Sequence, residues 1–151
     1  PGLFLKNHGD RLYLAIHSQL LFMNMEKTVS VLHLDMPVED MAISPPLTKA
    51  HIALGFEHGA CFFGDPGSSN DYTEFAKTME SPKMAFTRGG FLVLASPKIG
   101  RIYKIKGTKL VTHREFEAPE GAILAVLPGT SLDTFALITK AGTVSIYKIP
   151  S

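Results

Sequence analysis

The chain of 151 residues holds one thiol, Cys61, with His58 three residues before it. A cysteine becomes a nucleophile when a neighbouring base or cation stabilises its thiolate. Cys61, however, stands in the run Ala60-Cys61-Phe62-Phe63, where a small apolar thiol is expected to pack inside the protein. A single cysteine also leaves no internal disulfide and no Cys-rich zinc site. The six histidines, His8, His17, His33, His51, His58 and His113, show no H-x-H or H-E-x-x-H spacing. His17 and His58 fall at the turns of two similar hairpins, and a metal site built from them would need a carboxylate from an adjacent unit.

The segment 64–71, GDPGSSND, offers Asp65, Ser69, Asn70 and Asp71 as oxygen donors. It lacks the D-x-[DN]-x-[DN]-G order of a calcium loop, and the same residue types make good turns. Gly89-Gly90 precedes a strand-like run without a following Lys-Ser or Lys-Thr, so it does not read as a phosphate loop. Ser68 and Ser69 form no G-x-S-x-G elbow. Glu39-Asp40 and Glu115, Glu117 and Glu120 read as solvated faces and loop ends rather than an acid–base pair. The six methionines are expected to fill core space. No catalytic, cofactor-binding or metal site is assigned on these residues, and no cofactor is expected.

The elements that would position any site repeat along the chain. Four segments, 11–24, 51–65, 91–105 and 134–149, each read as an apolar strand, a short polar turn and a second apolar strand closing on an aromatic. Their central leucines, Leu14, Leu54, Leu94 and Leu137, are spaced 40, 40 and 43 residues apart. The closing aromatics, Phe22, Phe62, Tyr103 and Tyr147, are spaced 40, 41 and 44. Short runs of β-branched and aromatic residues form strands because these side chains suit a pleated surface. Gly59, Gly100 and Gly142 are placed to supply the positive φ of tight hairpin turns, and the first turn, Ser18-Gln19, has no glycine.

Further strands are expected before the hairpins at Leu3–Leu5, Val38–Ser44, Met84–Thr87 and Ile123–Leu127, and after the first three at Val29–Leu34, Tyr72–Ala76 and Leu110–Glu117. That makes about fifteen strands in units of about 40 residues, the period of a propeller blade. The stretch 71–80 leaves a helical turn or two open. The predicted fold class is all-β: a β-propeller of about four four-stranded antiparallel blades, at 2–36, 37–80, 81–119 and 120–151. It is read as one unit over 1–151, part of a larger or oligomer-completed propeller. The fourth unit has no strand after its hairpin and the chain opens on Pro1, which favours a piece of a larger propeller over pairing of two copies or completion by another protein.

The segments HIALGFEHGACFF, FLVLASPKIGRIYKI and TFALITKAGTVSIYKI resemble the WD40-like propeller superfamily in their order of apolar strand, glycine turn and apolar strand. The family's Gly-His and Trp-Asp dipeptides are absent, so the polar network they form is not carried over. Within the superfamily, VSIYKIPS is similar to trafficking propellers of the lethal-giant-larvae and tomosyn type. HIALGFEHGACFF with MAFTRGGFLVLAS is similar to bacterial propellers linked to MoxR ATPases and von Willebrand A proteins. Both alternatives stay open.

The resemblance implies a non-catalytic protein–protein interaction scaffold with protein partners. The alternatives are a propeller that binds or hydrolyses a small molecule or carbohydrate in its central channel, and a purely structural domain of a larger assembly. The inner strands are nearly all apolar, which counts against a polar channel site. A net charge of +1 with scattered Lys and Arg gives no nucleic-acid stripe. No apolar run reaches the roughly 20 residues of a membrane helix and no signal peptide opens the chain, so a cytoplasmic location is expected.

Overall fold

A computed structural model describes residues 2–24, 29–46, 49–66 and 70–150. Fifteen strands form four antiparallel sheets in chain order. The first sheet is β1 (Leu3–His8), β2 (Arg11–Ile16), β3 (Gln19–Met23) and β4 (Val29–His33). The second is β5 (Asp40–Ile43), β6 (Ile52–Gly55), β7 (His58–Phe63) and β8 (Thr73–Glu80). The third is β9 (Lys83–Phe86), β10 (Leu92–Ser96), β11 (Ile99–Lys106) and β12 (Lys109–Glu117). The fourth has three strands, β13 (Ile123–Pro128), β14 (Thr134–Thr139) and β15 (Val144–Lys148). The stretch left open to helix, 71–80, is therefore largely the strand β8.

The sheets stack side by side. First strands neighbour one another, with β1 beside β5, β5 beside β9 and β9 beside β13. A core fills each seam. Tyr13, Leu20 and Phe22 of the first sheet meet Ile52, Leu54 and Phe63 of the second. Ala53, Phe62 and Met79 of the second meet Met84, Leu94 and Tyr103 of the third. Val93, Ala95 and Ile102 of the third meet Val126, Phe135 and Leu137 of the fourth. Alternation along a strand sends successive side chains to opposite faces, so each middle sheet contributes to two seams.

Pairing registers show that the two faces of a sheet differ in kind. The face toward the preceding sheet carries the central leucines, in rows such as Met41–Leu54–Cys61 and Met84–Leu94–Arg101. The face toward the following sheet carries the rows Ala42–Ala53–Phe62 and Ala85–Val93–Ile102, and in the first sheet Tyr13 with Phe22. Leu54, Leu94 and Leu137 are fully buried, and removing a leucine from water contributes about 1.5–3 kcal/mol.

The closing aromatics of the repeat do not share a face. Phe22 and Phe62 pair with Tyr13 and Ala53, whereas Tyr103 and Tyr147 pair with Leu92 and Phe135, one position further along the hairpin. Such a shift by one residue flips the side chain across the sheet. The positions equivalent to Phe22 and Phe62 are Ile102 and Ile146.

His17 and Gly142 take positive φ in the turns of the first and fourth hairpins, 50 and 91°, and Gly59 takes φ 80° within the start of β7, where the pairing register shifts. The third turn differs from expectation. Gly100 lies inside β11, and Lys98, after Pro97, takes φ 71° instead. Proline before a positive-φ residue is the pattern of a type II turn, and Lys98 occupies the position where glycine or asparagine is usual. Gly100 serves another purpose: a Cβ at this position would run into the Phe116 ring.

Candidate functional site

The residues singled out for chemistry are not brought together. Cys61 is fully buried in β7, paired between Leu54 and Glu74. Burial pushes its thiol up to about 12, and the Glu74 carboxylate adds to the rise. His58 begins the same strand and is exposed. His58 stands on the far side of a break in the pairing register from Cys61, and its exposed ring is separated from the fully buried thiol.

His51 is buried and stacks on Phe62 with ring centroids 5.8 Å apart. Its Nδ1–H donates to the Gly64 carbonyl at 2.9 Å, while burial lowers its pKa and the hydrogen bond partly opposes that. Asp65 and Asp71 line a cavity of about 330 Å³, but Lys109 shares it, which opposes a cation there. Gly67, Ser68 and Ser69 of that loop lie outside the described residues. Gly89 and Gly90 already donate their N–H groups to Leu132 and Thr87, leaving neither for a phosphate. Among the described residues no group of three His, Cys, Asp or Glu is placed to hold a metal.

Asp40 is a correction to the reading of Glu39-Asp40 as a solvated face. Its Oδ2 accepts from the Met84 N–H at 2.8 Å, tying the second sheet to the third. Burial raises its pKa, against the lowering effect of the Met84 and Met41 N–H groups, Lys83 and Lys6. Asp40, Lys6, Met84 and Leu127 line a cavity of about 260 Å³ between the first strands. The surroundings are otherwise mostly apolar, as the inner-strand sequences imply.

A larger cavity, about 480 Å³, opens between β8 of the second sheet and β11 and β12 of the third. Its walls include Phe75 and Tyr103, whose rings meet edge to face at 5.1 Å. Arg101 and Lys109 supply two cations, and Thr73 and Thr112 supply hydroxyls. Arg101 occupies the row position that Cys61 fills in the second sheet, so the strand register carries a guanidinium into an apolar seam. Its Nε lies 3.3 Å from Glu115 Oε1, yet this buried atom makes no hydrogen bond. Burial raises the Tyr103 pKa, and a hydrogen bond from Arg101 partly offsets this. Sequence reasoning missed this groove because its residues come from four strands; the signal was Arg101 in a run otherwise apolar on that face.

No protein-family model and no curated protein matches the chain. Solved structures do. The WD40 repeats of RRP9 superpose with a TM-score of 0.73 at 18% identity, covering 93% of this chain and 45% of that one. The fold is that of a β-propeller. The N-terminal domain of Nup159 is similar at TM-score 0.67 and 12% identity, over 100% of this chain and 46% of that one. Virginiamycin B lyase from Staphylococcus aureus is similar at TM-score 0.63 and 15% identity, over 99% and 56%. The chain thus spans about half the length of the structures it matches. In propeller terms the four sheets are blades, β1, β5, β9 and β13 are the inner strands, and the Arg101 groove opens between the outer strands of two blades. No helix among the described residues is long and apolar enough to cross a membrane.

Proposed function

We propose that this propeller is a non-catalytic protein–protein interaction module, and that its partner enters the groove between β8 and β12 as an acidic, extended segment. The blade boundaries 2–36, 37–80, 81–119 and 120–151 and a cytoplasmic location belong to this reading. The observation that carries it is Arg101: a guanidinium held at an aromatic seam beside Lys109, with the exposed Glu115 carboxylate 3.3 Å from its Nε as an ion-pair partner that an incoming carboxylate could replace. Arginine and aromatic side chains in partly desolvated pockets carry most of the energy of protein interfaces. A carboxylate entering the groove would meet Arg101 and Lys109 together, and charge-assisted bonds of this kind are stronger than neutral ones. The WD40 repeats of RRP9 lend support at the level of fold, and fold alone does not fix function.

The test is recovery of partners from the native source with the wild-type chain and with Arg101→Glu. The reading expects a partner captured by the wild type and weakened by a factor of about 30 or more by the charge reversal, the scale of an interface hot spot. A partner retained equally by both would place the contact elsewhere. A second reading, small-molecule binding at the channel, draws on the half-buried Asp40 with Lys6 beside it and on the likeness to virginiamycin B lyase. Under that reading Asp40→Ala, and not Arg101→Glu, abolishes binding.

A further inference from the structure

Both walls of the groove between the second and third blades come from this chain, Phe62, Thr73 and Phe75 on one side and Arg101, Tyr103 and Thr112 on the other. In the ladder of β11 and β12, Arg101 stands opposite Glu115 and Tyr103 opposite Thr112, so guanidinium, ring and hydroxyl follow one another along the third blade. Glu115 is a loosely held partner. Its side chain is 66% exposed against 25% for Arg101, and the buried Nε of Arg101 is not aligned on it as a hydrogen-bond donor. Ion pairs with so exposed a member contribute little, which makes Glu115 easy to displace. Asp65 and Asp71 line an adjoining cavity, and Lys109 belongs to both.

We propose that the acidic group this groove takes is the phosphate of a phosphorylated tyrosine on the partner, with the phosphate at Arg101 and Lys109 and the ring against Phe75 and Tyr103. This rests on the interaction reading above and names its ligand. A carboxylate carries the same charge as Glu115 and would merely exchange with it. A phosphate monoester carries roughly −1.5 to −2 at neutral pH and three strong acceptor oxygens, enough to engage Arg101, Lys109 and a threonine hydroxyl together. Arginine suits phosphate because its planar fork donates two parallel hydrogen bonds. Asp65 and Asp71 oppose a run of acidic residues along the groove, because like charges repel. One compact dianion placed toward Arg101 concentrates the charge away from them. The ring follows from the walls: Phe62, Phe75, Tyr103 and Leu110 surround the cations with apolar surface that a short phosphoserine side chain would leave unfilled. An aromatic ring packs on such walls in offset or edge contact. The cavity of about 480 Å³ has room for ring and phosphate together, within the roughly 300–1,000 Å³ of small-ligand sites.

The test is an NMR titration of the isotope-labelled chain with phenyl phosphate, phenylacetate and inorganic phosphate. Phenyl phosphate is expected to shift the amides of Thr73, Arg101 and Thr112 and to bind about tenfold or more tightly than either other probe, through its second charge over phenylacetate and its ring over inorganic phosphate. Lys109→Gln, at an exposed position, is expected to weaken phenyl phosphate about fivefold or more, and Glu115→Gln, also exposed, to strengthen it. Phenylacetate binding as tightly as phenyl phosphate overturns the proposal but leaves the interaction reading standing, because the groove then takes carboxylates. Inorganic phosphate binding as tightly overturns it as well, since the ring then adds nothing. Groove amides that no probe shifts overturn it too, and partner recovery with Arg101→Glu then decides the interaction reading separately.

Discussion

The Phe116 ring of β12 fills the space that a side chain on Gly100 of β11 would need. The two residues are direct partners in the ladder, and Phe116 continues outward to Phe135 and Tyr147, with ring centroids 5.4 and 5.0 Å away. The missing Cβ thus lets one aromatic ring lie across β11 and join the seam between the third and fourth blades.

Gly100→Ala is therefore expected to destabilise the chain by about 1–3 kcal/mol, the usual cost of overpacking. Urea denaturation measures it. Combined with Phe116→Ala, the same change should cost less than the sum of the two singles, since removing the ring frees the space. Strict additivity would show that the ring does not constrain position 100.

Cys61 is expected to resist alkylation while the protein is folded. With its thiol at about 12, almost no thiolate exists at pH 8, and the side chain is sealed in the seam of the first two blades. Labelling with iodoacetamide should track unfolding in urea. Rapid modification of the native protein would show that the seam opens.

His51 makes stability depend on pH. Its folded pKa lies below the ordinary 6.5, so the unfolded chain binds the proton more readily. Stability from this group is present above pH 6.5 and is lost as pH falls below that value. The urea midpoint should drop between neutral pH and pH 5, and His51→Gln should flatten that part of the profile. A midpoint unchanged in the wild type would contradict the burial of a neutral ring.

Much of this fold was legible in the residues, and the reasons are physical. Period-two apolar runs and a recurring leucine placed every hairpin, because burial on both faces demands continuous apolar strands and a blade repeats in about 40 residues. Faces were harder. The aromatics Tyr103 and Tyr147 keep the spacing of Phe22 and Phe62 to within a few residues, yet one extra position sends them across the sheet. Gly100 looked like a turn glycine because sequence shows that a glycine is needed and not whether φ or a neighbouring ring requires it. Asp40 and Arg101 were invisible as site residues. Their roles depend on which blade lies opposite, and that is set by stacking rather than by local pattern.

The most direct test of the interaction reading is amide hydrogen exchange on the chain, free and bound to a partner captured from its source. The account predicts slowed exchange on binding in β8, β11 and β12, around Thr73, Arg101 and Thr112. Protection confined to the inner strands β5, β9 and β13, around Asp40 and Met84, would contradict it and assign binding to the channel.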